Sequence, residues 1–319
     1  KKAARFPAIM AAPTPNKRRI IVKSNANGSF ITYIMIMNMI KTSEVIKIFL
    51  KYNITNLRDE SKYKISKLEG ITNTSYLVDV NSSKFVLRIP GKNPDVINRV
   101  SEKINTTKAQ DYGLTLPYLI FDENTGIKIS EYFDLYTYKS SDFKNENLRN
   151  KAFRKLFDLH SSDLLFADNF SPLDIFSKIA DVSNEFEKEV KEIGDKIVDK
   201  ITEIGIEYKP CHQDLYFGNF VIHQDETYLI DWEYSAMGDV YFDYADLFWQ
   251  NEFDLNKSLR NKALEEIGVL DNEKIEKFEY FEILSMITWG LWALKRSSND
   301  ENGMEALNKA LDLFYDKKL

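Results

Sequence analysis

The spacing of apolar residues divides the chain into a strand-rich first part and a helix-rich second part. Apolar positions recur at helical intervals from Ser43 to Tyr52, with Ser43 in the capping position. The segments YKISKLEG, TSYLVDVN and KFVLRIPG are rich in β-branched and aromatic residues and are separated by Gly, Asn and Ser, which is typical of an antiparallel meander. A polar, helix-compatible stretch at 95–112 follows, and LPYLIFDE and GIKISEYF predict two further strands. Five strands and one inserted helix indicate a small lobe.

Beyond residue 134 the apolar residues follow the period of an α-helix. Amphipathic stretches run from 147 to 162 and from 174 to 204, and helical patterning resumes from 241 to the end of the chain. Between them, FVIH and TYLIDW are typical of two short strands joined by the turn QDE. We therefore expect an α+β protein with a small, strand-rich N-lobe at 41–134 and a mainly helical C-lobe at 135–319.

Length and composition narrow the class of protein. The chain has 319 residues, 44% of them hydrophobic and 29% charged, which is enough for two lobes and a large core. A net charge of −6 and a pI near 5.4 argue against nucleic acid as a partner. The single cysteine, Cys211, excludes an internal disulfide framework and a zinc site built from several thiolates, and it fits a reducing cytoplasm.

The first 40 residues differ from the rest in charge. They contain Lys and Arg but no Asp or Glu, and the first acidic residue of the chain is Glu44. A transit peptide, a signal peptide and a flexible basic tail are the functional interpretations of this segment. Its apolar run FITYIMIM is too short to span a bilayer and no small-residue cleavage site follows, which argues against secretion and a membrane span. Met35, Met37 or Met39 is an alternative start. We expect residues 1–40 to be a basic extension outside the core.

The segment CHQDLYFGNF, residues 211–220, is the strongest candidate for chemistry. His212, Asp214 and Asn219 have the spacing H-x-D-x-x-x-x-N by which kinases place a catalytic aspartate and a metal-binding asparagine on one loop. Asp214 would accept or orient the acceptor's proton, Asn219 would hold Mg²⁺, and His212 would organise the loop. Asp231 ends the second strand of the hairpin, which would return it to the edge where Asn219 lies, so that it bridges the metal to the phosphates.

Five segments carry a resemblance to a known family: LEGITNTSYLV, FVLRIPG, CHQDLYFGNF, LIDWEYSAMGDVYFDYADLF and ITWGLWAL. In this order they resemble the choline/ethanolamine kinases, particularly the bacterial choline kinases, within the wider aminoglycoside-phosphotransferase and protein-kinase-like fold. The resemblance covers about residues 41 to 319 and implies a two-lobed fold. It also implies transfer of the γ-phosphate of ATP to choline, with Mg²⁺, to give phosphocholine.

The resemblance assigns roles to individual residues. It implies Asp214 as catalytic base, with Asn219 and Asp231 as magnesium ligands. Arg88 falls at the position where a lysine or arginine on a strand of this fold contacts the ATP phosphates. Glu102 in the next helix is its expected ion-pair partner.

The remaining nucleotide contacts depart from the protein-kinase pattern. The loop GITNTS stands where protein kinases have a glycine-rich loop but keeps only Gly70. The polar residues expected at the phosphates are therefore Thr72, Asn73 and Ser75. The segment SEYF would be the hinge, reading adenine through the backbone of Glu131 and Phe133.

The acceptor pocket is the feature that distinguishes substrates. Trp289 and Trp292 are three residues apart, so on a helix they point to the same face. Tryptophans at that spacing are more often core, but the family uses the matching pair, with the residues matching Tyr234 and Phe253, to enclose a trimethylammonium group. Aromatic faces attract a quaternary cation that offers no hydrogen bond. Glu233 would add negative charge nearby.

Several alternatives stay open at this point. Ethanolamine kinase would need fewer aromatic residues and more hydrogen-bond acceptors around the ammonium, so WGLW counts against it. An aminoglycoside or thiamine phosphotransferase would need a larger acidic or stacking cleft. A catalytically dead binding protein is a further alternative, although Asp214, Asn219 and Asp231 are all present. Asp243, at the start of the next helix, is expected to brace the catalytic loop rather than to touch substrate.

Overall fold

A computed structural model describes residues 20–24, 30–34, 40–68, 73–91, 97–168, 176–177, 184–251, 253 and 256–316. The chain divides into two compact units, Lys1–Ile89 (the first unit) and Pro90–Leu319 (the second unit). In the part that the structure describes, no helix has the length and apolar character needed to cross a membrane. The expected lobe boundary between residues 134 and 135 stays a prediction.

The first unit contains two antiparallel arrangements of strands and one helix. Strands β1 (Ile20–Ser24) and β2 (Phe30–Ile34) pair as a hairpin in the basic extension, for which the sequence analysis predicts no element. Helix α1 (Thr42–Lys51) precedes a 3₁₀ turn at Glu60–Lys62. The predicted meander then forms from β3 (Tyr63–Lys67), β4 (Thr74–Val80) and β5 (Ser83–Ile89), each strand antiparallel to the one before it.

The cap of helix α1 lies two residues before Ser43, the cap that its sequence pattern predicts. The backbone N–H of Lys41 donates to the carboxylate of Glu44 at 3.2 Å, so Lys41 takes the cap position and Ser43 lies inside the helix. The apolar face of α1 includes Phe49, whose ring contacts those of Tyr63 and Phe85 edge-on at centroid distances of 6.3 and 5.6 Å. This contact packs the helix against the meander.

The second unit is mainly helical in its described residues. Its helices are α2 (Arg99–Asp111), α3 (Glu146–His160), α4 (Glu185–Ile204), α5 (Val240–Gln250), α6 (Lys257–Glu266), α7 (Asn272–Arg296) and α8 (Glu301–Asp316). Its strands are β6 (Ile120–Phe121), β7 (Lys128–Glu131), β8 (Tyr136–Thr137), β9 (Lys209–Cys211), β10 (Phe220–His223), β11 (Glu226–Leu229) and β12 (Ala236–Gly238). Each helix and strand predicted from 95 onward appears, most of them with shorter bounds, although α3 begins one residue early and β10 coincides with FVIH. The predicted start of α4 before residue 184 lies largely outside the described residues.

Two small sheets position the chemistry-bearing loop of the second unit. Strand β10 pairs with β11 and with β8, and β9 pairs with β12, all antiparallel. The loop between β9 and β10, residues 212–219, therefore begins on one small sheet and ends on the other, with a 3₁₀ turn at Phe217–Asn219 before β10. Helix α5 follows β12 and begins at the cap Asp239, whose carboxylate accepts the N–H of Tyr241 at 3.1 Å.

Helices α7 and α8 approach each other closely at two glycines. A Cβ added at Gly290 would lie 2.6 Å from the side chain of Leu307 and 3.0 Å from the carbonyl oxygen of Gly303. Leu307 is fully buried in the core of the second unit and has little room to move. Gly290 is thus required by the close packing of the two helices, and it lies between the two tryptophans of WGLW.

We predict that Gly290→Ala lowers the free energy of unfolding by about 1 kcal/mol net. Overpacking costs about 1 to 3 kcal/mol, which exceeds the gain of up to about 1 kcal/mol from the higher helix propensity of alanine. Denaturant titration measures the difference, and Lys295→Ala, at an exposed position of the same helix, is the matched control. Equal stability of Gly290→Ala and the wild type would show that α7 and α8 can separate at this point.

Candidate active site

The loop between β9 and β10 is held by two buried carboxylates of α5. Asp243 accepts the backbone N–H of His212 at 2.9 Å and that of Gln213 at 2.7 Å. Asp246, one turn further along the helix, accepts the N–H of Leu215 at 2.6 Å. Charge-assisted bonds of this kind are short and strong, and three of them flank Asp214. Asp243 therefore braces the loop, as expected from its position in the sequence.

Asp214 lies in the middle of this braced loop and is linked to Asn219. The side-chain amide of Asn219 donates to the backbone carbonyl of Asp214 at 2.8 Å and to its carboxylate at 3.1 Å. Loss of hydration raises the pKa of Asp214 well above its ordinary value, and the carboxylates of Asp246, Asp231 and Glu233 raise it further. A carboxylate with a raised pKa is a better proton acceptor.

The hairpin of β10 and β11 brings Asn219 and Asp231 to the same end. The carbonyl of Asn219 accepts the N–H of Ile230 at 3.0 Å, so Asp231 follows directly after the last hairpin bond. Asp231 has a φ of 68°, a left-handed conformation that is uncommon for a residue other than glycine. Such backbone strain is found most often at functional sites.

His212 joins the loop to the hairpin through its buried side chain. Its Nε2 lies 3.0 Å from the carbonyl oxygen of Ile230, which can only accept, so Nε2 carries the proton. Burial lowers the pKa of His212, which keeps the ring neutral. The ring also packs against Trp232, with centroids 4.8 Å apart. These contacts fit the organising role expected for His212.

Carboxylates and cations form a buried network next to Asp231. Oxygen atoms of Glu102, Asp231 and Glu233 lie within 4.8 Å of one another. Arg99 contacts Glu102 at 2.6 Å and Glu233 at 3.5 Å, and Lys128 contacts the other oxygen of Glu102. Buried charges require such pairing, because an unpaired ion loses its hydration without compensation.

The donor atoms around Asp231 fit a magnesium ion. Carboxylate and amide oxygens are the protein ligands that Mg²⁺ prefers, and Asp231 and Asn219 supply one of each. The amide nitrogen of Asn219 is directed to Asp214, which turns its carbonyl oxygen away from that residue. Glu102 is already bound by Arg99 and Lys128, so it fits the role of a metal ligand less well.

A second group of possible metal ligands consists of His160, Cys211 and Asp243, all buried. His160 Nε2 lies 2.8 Å from a carboxylate oxygen of Asp243. Burial raises the pKa of the Cys211 thiol well above its ordinary value, and Asp243 and Asp239 raise it further. A thiol that stays protonated is a poor metal ligand, so this group is a hydrogen-bonded part of the core.

The expected nucleotide-binding residues of the first unit lie on its meander. In the register of β4 and β5, Ser75 is directly opposite Arg88, so these two residues are cross-strand neighbours. Asn73 immediately precedes β4, and Thr72 lies outside the described residues.

The residues expected at the adenine hinge lie at the end of β7. Glu131 is the last residue of that strand. The ring of Phe133 contacts His223 edge-on at 5.2 Å, and the carbonyl of Asp134 lies 3.3 Å from His223 Nδ1. The hinge is therefore joined to the end of β10.

The second unit supplies Glu102 with two partners that sequence reasoning missed, Arg99 and Lys128. Arg99 is three residues before Glu102 on α2, a spacing at which side chains meet on a helix. Lys128 is a lone cation between two isoleucines in β7, and a charge in an apolar strand is a signal of a buried partner. The expected pairing of Glu102 with Arg88 stays a prediction.

Three aromatic residues of the expected acceptor pocket lie together. The rings of Tyr234 and Trp289 meet edge-on at 5.0 Å, and those of Trp289 and Trp292 meet at 5.9 Å with planes 86° apart. Their polar atoms, the Tyr234 hydroxyl and both indole N–H groups, are buried and have no hydrogen-bond partner among the described residues. We call these three residues the aromatic box. Buried polar atoms without partners require an explanation, and a ligand supplies one.

The electrostatic environment of the aromatic box favours a cation. Burial raises the pKa of Tyr234, and the carboxylates of Glu233, Asp214 and Asp231 raise it further. The guanidinium of Arg296 acts in the opposite direction on the pKa of Tyr234, and it lies 4.5 Å from the ring centre of Trp292, so this ring already holds one cation.

Phe253 does not join the aromatic box. It is fully buried, and its ring stacks on Phe248 at 4.6 Å and contacts Phe143 and Phe153 at 5.4 and 6.4 Å. These phenylalanines form a separate part of the core of the second unit, where an apolar ring gains most from burial. The expected contact of Phe253 with the substrate thus finds no support in its surroundings.

Comparison with known proteins agrees with this geometry. Residues 196–274 match the phosphotransferase enzyme family. Protein LicA of Haemophilus influenzae is 27% identical over 274 residues, which cover 78% of each chain. The crystal structure of choline kinase LicA from Streptococcus pneumoniae is 26% identical, with a TM-score of 0.72, and the match covers 85% of this chain and 99% of that one. A crystal structure of LicA in complex with AMP is 25% identical, with a TM-score of 0.71, and the match covers 86% of this chain and 99% of that one.

The fold and the braced loop define a kinase for small molecules, with the α+β architecture of the two-lobed, protein-kinase-like class. Within that class, the chain is similar to the choline kinases named LicA, as the resemblance in its sequence implies. The fold class and the family resemblance found in the sequence are thereby confirmed.

We predict that Asp246→Asn removes a pH-dependent part of the stability. Burial raises the pKa of Asp246 from its ordinary 3.8 to about 7, so the folded state binds more protons than the unfolded state between these values. The contribution of this group to stability is therefore complete below about pH 4 and is lost as the pH rises through about 7, with a slope of up to about 1.4 kcal/mol per pH unit.

Denaturant titrations of both proteins between about pH 4 and 8 measure this effect. The stability of the wild type minus that of Asp246→Asn should fall as the pH rises through that range. Asp199→Asn, at an exposed position of α4, is the control and should give a difference that does not depend on pH. A flat difference for Asp246→Asn as well would contradict the raised pKa.

Proposed function

We propose that this protein is an ATP-dependent choline kinase that transfers the γ-phosphate of ATP to the choline hydroxyl and releases phosphocholine and ADP. The observation that carries the proposal is the aromatic box of Tyr234, Trp289 and Trp292. It has the apolar faces and the nearby negative charge that suit a quaternary ammonium group. The choline kinase named among the similar structures supports the same assignment.

The acceptor hydroxyl would be aimed by Asp214. Its carboxylate accepts the proton that leaves the choline oxygen as that oxygen bonds to the γ-phosphorus and the bond to the ADP oxygen breaks. The α5 carboxylates hold the loop, so Asp214 is positioned before substrate binds. Preorganisation of this kind lowers the barrier because little reorientation is needed during the reaction.

Asn219 and Asp231 would hold Mg²⁺ through their side-chain oxygens. A bound Mg²⁺ offsets the negative charge of the phosphates and orients them for in-line transfer. The strained backbone of Asp231 fixes its carboxylate at the end of the hairpin, beside Asn219. The chain would thus supply two oxygen ligands from the same end of one hairpin: Asn219 directly before β10 and Asp231 just after β11.

The nucleotide would be bound by the residues that the sequence resemblance implies. Arg88, Thr72, Asn73 and Ser75 are proposed to contact the phosphates, and Glu102 is proposed to belong to the nucleotide site. The backbone of Glu131 and Phe133 is proposed to read the adenine. The LicA complex with AMP supports a nucleotide site in a protein of this fold. A cytoplasmic location is part of the proposal, because ATP is available there and Cys211 stays reduced.

Ethanolamine is the closest rival acceptor. Its primary ammonium needs several hydrogen-bond acceptors, whereas the aromatic box presents one, the Tyr234 hydroxyl, beside two indole N–H groups that can only donate. A quaternary ammonium needs no acceptor and is attracted by the ring faces alone. The box therefore favours choline over ethanolamine. Aminoglycosides and thiamine remain members of the acceptor panel below.

We predict that Asp214→Asn lowers kcat by about two to four orders of magnitude, the usual scale for a lost general base. Nucleotide affinity should change little, because the substitution removes charge only on the acceptor side. A coupled assay for ADP release gives kcat, and calorimetric titration with ADP gives the affinity. Turnover close to that of the wild type would exclude Asp214 as the base.

A panel of acceptors tests the substrate itself. Choline, ethanolamine, thiamine and an aminoglycoside are each supplied with ATP and Mg²⁺, and kcat/KM is compared. We expect choline to give the highest value. A preference for ethanolamine or for a larger acceptor would overturn the proposed substrate while leaving the phosphotransferase chemistry in place.

We predict that Trp289→Ala and Trp292→Ala each raise the KM for choline roughly five- to a hundredfold, since each removes one cation-facing ring worth about 1 to 3 kcal/mol. The KM for ethanolamine should rise less. Phe253→Leu is the control: it should lower the melting temperature, because it leaves a core cavity, and keep the KM for choline. A Trp292→Ala protein that melts early but binds choline normally would place that ring in the core instead.

A further inference from the structure

The buried hydroxyl of Ser285 joins helix α7 to helix α5. Its Oγ donates to the carboxylate of Asp246 at 2.8 Å and accepts the indole N–H of Trp249 at 2.8 Å. The indole N–H can only donate, so the serine oxygen must accept there and its own proton is directed to Asp246. The hydroxyl thus has one defined orientation in a site without solvent exposure.

Two further hydrogen bonds constrain the geometry of Asp246. Its second oxygen accepts the N–H of Leu215, the residue after Asp214, at 2.6 Å. The side-chain amide of Gln250 donates to the oxygen shared with Ser285 at 2.7 Å. The other charged groups facing this carboxylate are Asp243 on the same helix and Asp214 on the loop. Two consecutive hydrogen bonds through Asp246 therefore connect the hydroxyl of Ser285 to the backbone N–H of Leu215, the residue after Asp214.

Ser285 also lies on the helix that carries two rings of the aromatic box. Trp289 is four residues further along α7 and Trp292 is seven, so all three side chains occur on one face of the helix. Ser285 consequently connects the part of α7 that would hold the cation to the loop that would activate the hydroxyl.

We propose that Ser285 is a positioning residue that sets the catalytic loop relative to the aromatic box, acting through Asp246. The inference rests on the proposed function, because it takes the two ends of the acceptor to lie at the box and at Asp214. Loss of the hydroxyl leaves both box rings in place, so the binding of the cation is unchanged. It releases Asp246 and Leu215 from α7, so the hydroxyl is less well aimed and the chemical step slows.

The test is a double-mutant cycle on kcat and KM. Ser285→Ala should lower kcat about tenfold and change the KM for the acceptor less than about twofold, the pattern of an interaction used only in the transition state. In the Asp246→Asn background the same substitution should lower kcat less than about twofold further, since the link is already broken.

Thr288→Val is the matched control, because Thr288 is equally buried on α7 and its hydroxyl bonds only to the carbonyl of Leu284 in the same helix. It should leave kcat unchanged in both backgrounds. Trp249→Phe is a second variant, which keeps Ser285 but removes the indole N–H that donates to its hydroxyl oxygen. It should lower kcat when Asp246 is present and have little effect in the Asp246→Asn background. This variant keeps the inference testable if Ser285→Ala does not fold.

The acceptor is the member of the panel that the wild type phosphorylates fastest, or water in slow ATP hydrolysis if it phosphorylates none. A failure of the choline assignment is therefore visible in the wild type, apart from the cycle. An unchanged kcat in Ser285→Ala, a raised KM with unchanged kcat, or an equal loss in the Asp246→Asn background would each overturn the positioning role.

Discussion

The candidate site depends on the hydrogen bonds by which Asp243 and Asp246 hold the loop between β9 and β10. Three backbone N–H groups of that loop have carboxylate oxygens as acceptors, at 2.6 to 2.9 Å. A loop alone has too few contacts to hold one conformation against its entropy, and a buried charged acceptor supplies the missing constraint. The position of Asp214 follows from these bonds together with the packing of α5 against α7, which holds α5 in place.

Negative charge is concentrated around the same loop. Asp214, Asp231, Glu233 and Asp246 lie close enough to raise one another's proton affinity or that of Tyr234. Arg99 and Lys128 offset part of this charge at Glu102 and Glu233. Such a site gains free energy from the cations it is proposed to bind, a quaternary ammonium and Mg²⁺, because both reduce repulsion that the fold otherwise carries.

The motif residues were accessible to sequence reasoning because their spacing is local. His212, Asp214 and Asn219 belong to one loop. The four-residue strands β10 and β11 then pair as a hairpin, which brings Asp231 back to the end where Asn219 lies. The pairing of Ser75 with Arg88 follows in the same way from a two-residue turn in the meander. The partners of Glu102, the place of Phe253 and the link through Ser285 join residues from separate helices and strands, and no local pattern specifies them.

The sequence by itself determined the order and type of most elements from residue 41 onward, the resemblance to a kinase family and the local motifs, because periodicity, turn residues and loop spacing act over a few residues. Only the tertiary structure decided which aromatic residues form the box and which fill the core. Phe253 and Trp289 are both apolar and aromatic, and their packing neighbours alone separate them. It also decided that Asp246 and Ser285 meet, since their helices are far apart in the chain and come together by burying a shared apolar surface.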